Sequence, residues 1–556
     1  MAGFAQVGVL LVLLAAAWRP LGDWMARVYT DERDWRLERL LYRIVRVDPR
    51  SEQRAGTYAV AVLAFSFAGI VLLYLLQRLQ SLLPWSFDRG TGASGATGEA
   101  GGVEPGVAFN TAISFVTNTN WQSYVPESTM GHAVAMAGLT VQNFVSAAVG
   151  MAVAVALVRG FVRSRSDRLG NAWVDIVRGA TRILLPIAAV AAVVLVALGV
   201  VMSLRAGVDV VGPDGRPSTL ALAPAASQEA IKQLGTNGGG IFNANSAHPF
   251  ENPNPISNLL EIFLMLVVPV SLTRTFGRLV GSVRQGVSLL AVMGGLWAAM
   301  LAVIWAAEAR SASFAGANLE GKEVRFGIPG SALFANATTG TSTGAVNSLH
   351  DSFSALGGGG ALLNMLFSEM TPGGVGTGLY SILIIAIVAV FLAGLMVGRT
   401  PEYLGKRLGR REVTCAVVVV LTMPALVLLG TGLAIALPST GTAMTNSGPH
   451  GLSEVLYAYA SAANNNGSAF GGLTVTSGFF QTTLGIAMLL GRFLPIVAVL
   501  ALAGLLARQP RVAPSAGTLS TGTPLFSVLV AGTVVLVAAI TFLPALALSP
   551  LAEGLA

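Results

Sequence analysis

AISFVTNTN, residues 112–120, is the stretch on which the fold turns. An apolar, helix-permissive run gives way there to four small polar residues. The same change occurs three more times, in AIKQLGTNG at 230–238, NATTGTSTG at 336–344 and YASAANNNG at 459–467. The final residues of the copies stand 118, 106 and 123 positions apart, so the unit is about 115 residues long. Each copy lies between two apolar stretches, giving a pattern of helix, small polar loop, helix. The likeness is one of composition, and Asn, Gly, Ser and Thr are also ordinary turn residues. Four copies in register between pairs of apolar stretches set these segments apart from turns.

The surroundings are those of a membrane. The 556 residues are 53% hydrophobic and 11% charged, which excludes a water-soluble protein of this length. A helix needs about 20 apolar residues to cross roughly 30 Å of hydrocarbon. Ten stretches come close: 3–18, 57–83, 131–158, 172–204, 255–276, 283–307, 376–398, 413–437, 475–503 and 525–548. The expected fold class is an all-α polytopic membrane protein, with four pseudo-repeated helix–pore loop–helix units around a central pore and two extra helices. Its divisions are a first helix with a basic segment (1–56), four repeats (57–160, 161–280, 281–400 and 401–510) and a last helix (511–556). The first stretch has no basic residue ahead of it and an Arg-rich segment behind it, so it reads as a retained helix rather than a signal peptide.

Cation placement gives the expected orientation. Of 34 Lys and Arg, 25 fall in alternate connections, beginning with nine Arg between 19 and 54 and continuing through Arg159–Arg182, Arg274–Arg284, Arg399–Arg411 and Arg508–Arg511. Such residues are retained on the cytoplasmic side, so both termini are expected to be extracytoplasmic. The net charge of +7 therefore speaks for the lipid bilayer as partner and not for a nucleic acid. Cys415, the single cysteine, excludes an intrachain disulfide.

A dehydrated monovalent cation needs several oxygen dipoles around it, and irregular backbone sits at membrane depth only where it is buried or lines a cavity. Gly lets successive carbonyls turn toward one axis, and Thr, Ser and Asn brace or supplement them. Three copies end in Gly238, Gly344 and Gly467; the first ends in Asn120, a residue tolerant of left-handed geometry. The copies lack carboxylates, which favours a weakly hydrated ion such as K⁺ over Ca²⁺ or Mg²⁺.

FVTNTNWQSY (115–124), QLGTNGGGIFNANSAHPFENP (233–253), GRTPEYLGK (398–406) and YAYASAANNNGSAF (457–470) resemble the potassium-binding subunit family, KdpA, of the bacterial Kdp potassium-transporting ATPase. The resemblance spans nearly the whole chain and implies a tetrameric potassium channel folded into one polypeptide. It maps the selectivity filter to Thr117, Asn118, Thr119 and Asn120; Gly235, Thr236, Asn237 and Gly238; Thr341, Ser342, Thr343 and Gly344; and Asn464, Asn465, Asn466 and Gly467. The third copy, TTGTSTGAV, departs from the Cys-containing form associated with the family. The resemblance further implies residence in the bacterial inner membrane, small accessory subunits, and K⁺ delivery through an intramembrane tunnel to a P-type ATPase subunit. The sequence agrees by omission: it has no P-loop and no Asp-Lys-Thr-Gly stretch, so no ATP site or catalysis is expected on this chain. A self-sufficient permease of the Trk/Ktr/HKT kind is the alternative.

Arg492 inside the ninth span costs about 2.5–3.5 kcal/mol to insert and is expected to face the interior, where it discourages K⁺ from leaking straight through; snorkelling or structural pairing is the bland reading. Gly357–Gly360 and the run from Ser368 to Gly374 are expected to break any helix between 351 and 378, with Glu369 either attracting K⁺ or capping a helix. Gln122 either shapes the outer mouth or packs the pore helix. His132, His248, His350 and His450 show no metal-ligand spacing. RLERLLYRIVRV within 19–54 reads as an interfacial amphipathic helix.

Overall fold

In the computed structural model, ten helices among the described residues are long and apolar enough to cross a membrane: Gly3–Thr30 (α1), Ala55–Arg78 (α2), Val134–Val162 (α3), Ala172–Ala197 (α4), Pro255–Leu279 (α5), Val283–Arg310 (α6), Thr377–Met396 (α7), Arg410–Ile435 (α8), Gly478–Arg508 (α9) and Pro524–Leu548 (α10). The structure describes the chain apart from residues 1, 87–101, 311–317, 397, 399–400, 514–518 and 556, so Arg399 and part of the connection between the second and third spans lie outside it. All ten expected spans are present. Four shorter helices lie between the members of successive pairs: Pro105–Val116 between α2 and α3, Ala225–Leu234 between α4 and α5, Gly327–Gly340 between α6 and α7, and Gly448–Asn464 between α8 and α9. Each ends inside one of the four copies, so that the polar residues closing the copy follow the helix C-terminus.

Two helices depart from the sequence expectation, and tertiary packing explains both. The first runs to Thr30 rather than residue 18. Its polar second half is held against α5: Asp23 pairs with Arg274 at 2.9 Å, and Thr275 Oγ1 donates to the Gly22 carbonyl at 3.0 Å. Second, Gly357–Gly360 do not break a helix, because Ala355–Leu366 is helical straight through them. Here the glycines serve close approach: a Cβ on Gly357 would lie 1.9 Å from Glu308 Oε1, and one on Gly360 would lie 2.8 Å from Ile304 Cγ1. The break falls after Leu366, and the second helix of the third repeat resumes only at Thr377.

Arg36–Ile44 is helical, with Leu37, Leu40 and Ile44 exposed and Glu38 and Tyr42 buried. Glu38 accepts from Arg182 at 2.5 Å, fixing this helix to the base of α4. Nearby, Arg159 grips Asp175 through both carboxylate oxygens, and Tyr58 donates to the same carboxylate at 2.9 Å. Several Arg residues of the basic connections are thus paired within the fold.

Candidate functional site

The short helices deliver the four polar copies to one place. The first starts on the side chain of Glu104, which accepts from the Val107 amide, with Pro105 pre-set for the first turn. It ends at Thr117, the second at Gly235, the third at Thr341 and the fourth at Asn465. A helix C-terminus carries partial negative charge on its free carbonyls, so four such ends around one point favour a cation there.

Contacts between the loops close a ring. Asn118 Nδ2 donates to the Thr236 carbonyl at 2.6 Å, and the Gly238 amide donates to Asn120 Oδ1 at 3.2 Å, joining loops one and two. A Cβ on Gly238 would lie 2.8 Å from the Thr343 carbonyl oxygen, joining two and three. Asn466 Nδ2 donates to the Thr341 carbonyl at 2.9 Å, joining three and four. Asn465 Nδ2 donates to Thr119 Oγ1 at 3.0 Å, and a Cβ on Gly467 would lie 1.9 Å from the Thr119 carbonyl oxygen, joining four and one. Of the sixteen residues mapped to the filter, all are buried except Asn464 and Gly467, which are half-buried.

The backbone of the ring is turned by residues in the left-handed region. Asn118 and Asn120 have φ of 69° and 60°, Asn465 and Gly467 of 59° and 101°, Thr236 of 49° and Gly344 of 73°. Gly238 is absent from this set; Gly239 takes φ of 69° in its place, and Gly238 is needed for its closeness to Thr343. Asn and Gly tolerate the left-handed region best, while Thr236 pays a strain that its contacts hold: its Oγ1 accepts from the Val375 amide at 3.0 Å.

Gln122 reaches across the ring's outer edge: its Nε2 donates to the Gly240 carbonyl at 3.1 Å and its Oε1 accepts from the Gly240 amide at 3.0 Å. Glu369 lies in the break between Ala355–Leu366 and α7, where it caps neither helix. One carboxylate oxygen accepts from Ser342 Oγ and the other from Asn466 Nδ2 at 2.7 Å, tying loops three and four together. Arg492 is 3% exposed, with Nη2 donating to the Ser146 carbonyl at 3.2 Å. Arg492 and Glu369 line one cavity with Ser342, Thr377, Asn464 and Asn465.

Two residues of α3 were overlooked in the sequence. Asn143 Oδ1 accepts from Asn120 Nδ2 at 2.6 Å and its backbone carbonyl accepts from Asn237 Nδ2 at 2.7 Å; Ser146 Oγ donates to Asn118 Oδ1 at 2.7 Å. Their signal was available: two polar residues three apart inside an apolar span share a helix face and need partners away from lipid. The histidines do not gather. His350 bonds Tyr457, His248 stacks on Phe242, and His132 meets the Arg205 carbonyl, while His450 sits between Asp351 and Glu553.

The model of the potassium-transporting ATPase A subunit family, KdpA, matches residues 8–555. The potassium-transporting ATPase potassium-binding subunit of Rhodococcus erythropolis is 62% identical, over 99% of this chain and 98% of that protein. The subunit of the same description from Streptomyces coelicolor is 57% identical over 100% of this chain and 99% of its own. Among solved structures, the potassium transporter TrkH from Vibrio parahaemolyticus superposes with a TM-score of 0.53 at 12% identity, covering 81% of this chain and 85% of that one. That likeness is one of fold.

Proposed function

The chain belongs to the potassium-transporting ATPase A subunit family, and on that premise we propose that its four-loop ring is a filter that selects extracytoplasmic K⁺. It is a multi-pass membrane protein and the non-catalytic, potassium-binding subunit of a potassium-transporting ATPase complex. In our reading K⁺ sheds water against the backbone carbonyls and side-chain oxygens of residues 117–120, 235–238, 341–344 and 464–467. It then passes the cavity at Glu369 and Arg492, where the guanidinium opposes direct passage to the cytoplasm, and leaves sideways through an intramembrane tunnel to the ATP-hydrolysing subunit. Small accessory subunits complete the assembly in the bacterial inner membrane, with both termini outside.

The observation that carries this reading is the closed ring: four loops, each at the C-terminus of a short buried helix, joined in the order one, two, three, four and back to one. Carbonyl-lined rings suit a weakly hydrated monovalent cation, whereas Ca²⁺ and Mg²⁺ sites use carboxylates. A self-sufficient permease is disfavoured by the family match over nearly the whole length.

Reconstitution into vesicles tests the reading. K⁺ uptake is expected only with the ATPase partner and ATP; robust uptake by this chain alone would overturn it. Gly238→Asp, which brings a Cβ within 2.8 Å of the Thr343 carbonyl and adds a carboxylate, is expected to lower K⁺ affinity and weaken discrimination against Rb⁺ and NH₄⁺.

A further inference from the structure

Behind the second loop lies a group of charges that the filter chemistry does not use. Lys232, Glu229, Glu251 and Glu261 are each wholly buried, at 0% exposure, in a chain with few charges to spend. Lys232 Nζ meets Glu229 at 2.6 Å, Glu251 at 3.1 Å and Asn245 Oδ1 at 3.2 Å. Burying charge is costly even when it is paired, and well-packed apolar residues of similar volume would often stabilise the fold as well or better. Three carboxyl groups around one ammonium are poor economy as a mere core.

The outer side of the cluster reaches the backbone that follows the ring. Glu251 Oε1 accepts from the amides of Ile241 and Phe242, both at 3.0 Å. Asn245 Nδ2 donates to the Gly239 carbonyl, and Asn245 Oδ1 also accepts from the Val346 amide at 3.3 Å, two residues beyond Gly344. The ammonium thus orients a carboxylate and an amide that together hold the exits of loops two and three. Gln122 fastens Gly240 from the opposite side.

We propose that Lys232, Glu251 and Asn245 form a buried clamp that positions the outer ends of filter loops two and three and thereby sets K⁺ affinity and selectivity. These are positioning residues, since they act on the ion through the backbone of 239–242 and 346. The proposal rests on the reading of the ring as the K⁺ filter. Gln233 serves as an internal control: its Nε2 bonds Glu229 and Glu261 at 2.7 and 3.1 Å, deep in the same cluster, without reaching loop backbone through its side chain.

The test is K⁺-dependent ATP hydrolysis by the assembled complex, measured with K⁺ and with Rb⁺. Asn245→Leu and Lys232→Met are expected to raise half-saturating K⁺ roughly ten-fold, about the effect of one lost hydrogen bond to a buried group, and to narrow the preference for K⁺ over Rb⁺. Maximal rate should stay within about two-fold, because the reacting centre is on another subunit. Gln233→Leu should lower thermal stability and leave half-saturation unchanged. Unchanged half-saturation in assembled Asn245→Leu, or an equal shift in Gln233→Leu, would overturn the clamp. So would failure of Asn245→Leu to assemble, which assigns the cluster to folding. ATP hydrolysis by the unsubstituted complex that ignores K⁺ would instead refute the filter reading itself.

Discussion

A Cβ placed on Gly344 would lie 2.1 Å from the carbonyl oxygen of Asn466. Real Cβ atoms do not come so near, and Gly344 also has φ of 73°, so contact and conformation both demand glycine at this point of the ring. Gly344→Ala is expected to cost about 1–3 kcal/mol of local strain and to raise half-saturating K⁺ about ten-fold or more. Gly294→Ala is the matched control, since nothing lies within 4 Å of a Cβ there. Equal K⁺ dependence of the two variants in an ATPase titration would contradict the assignment.

Glu369 makes a graded prediction. As a carboxylate it accepts from Ser342 and from Asn466, one oxygen for each. Gln retains one acceptor oxygen, and Ala retains neither. Half-saturating K⁺ is expected to rise in the order wild type, Glu369→Gln, Glu369→Ala, with the last step near ten-fold for a buried network broken at both ends. A Gln variant as impaired as the Ala variant would show that charge, not bridging, is what matters.

For Arg492 the readout is coupling. Removing a buried guanidinium that lines the cavity beside the ring is expected to let K⁺ escape without a cycle of the pump. Arg492→Ala should therefore lower the ratio of K⁺ transported to ATP hydrolysed in vesicles. An unchanged ratio would assign Arg492 to structure, through its bond to the Ser146 carbonyl.

His450 predicts a pH dependence of stability. Its hydrogen bond to Asp351 foremost, reinforced by Glu553 and opposed by partial burial, pushes its pKa up from 6.5 to about 9. A raised folded-state pKa means that the protonated form favours the fold. This contribution is fully present below pH 6.5 and is lost as pH rises through about 9. His450 joins the start of the fourth short helix, Gly448–Asn464, to Asp351 and to Glu553 of the last helix, Pro550–Leu555. Thermal unfolding in detergent should show Tm falling between pH 6.5 and 9, and His450→Gln should flatten that slope. A slope indifferent to His450→Gln would assign it to other groups.

Much of this architecture could be read directly from the chain because its signals are local. Long apolar runs mark the spans, and Asn118, Asn120, Asn465 and Gly467, which take left-handed geometry, are residue types that advertise it. What escaped depends on contacts between distant residues. The extension of α1 to Thr30 needs Arg274, about 250 positions away, and the helix through Gly357–Gly360 needs Glu308 and Ile304 as neighbours. The roles of Gly238 and Gly239 are exchanged relative to a simple count of loop ends, because one position is decided by crowding and the next by φ. Glu369 was visible as a residue type, but its two partners lie on separate repeats.

The ring's four corners, Asn120, Gly238, Gly344 and Gly467, belong to a single polypeptide and are not copies of one another. In an assembly of four identical chains, every mutation strikes all corners at once, and a damaging one leaves no intact quadrant. Here a mutation alters one quadrant and spares three. Selection can therefore adjust ion binding in small steps, one corner at a time, and the departures of each loop from its neighbours are the record that such stepwise tuning would leave.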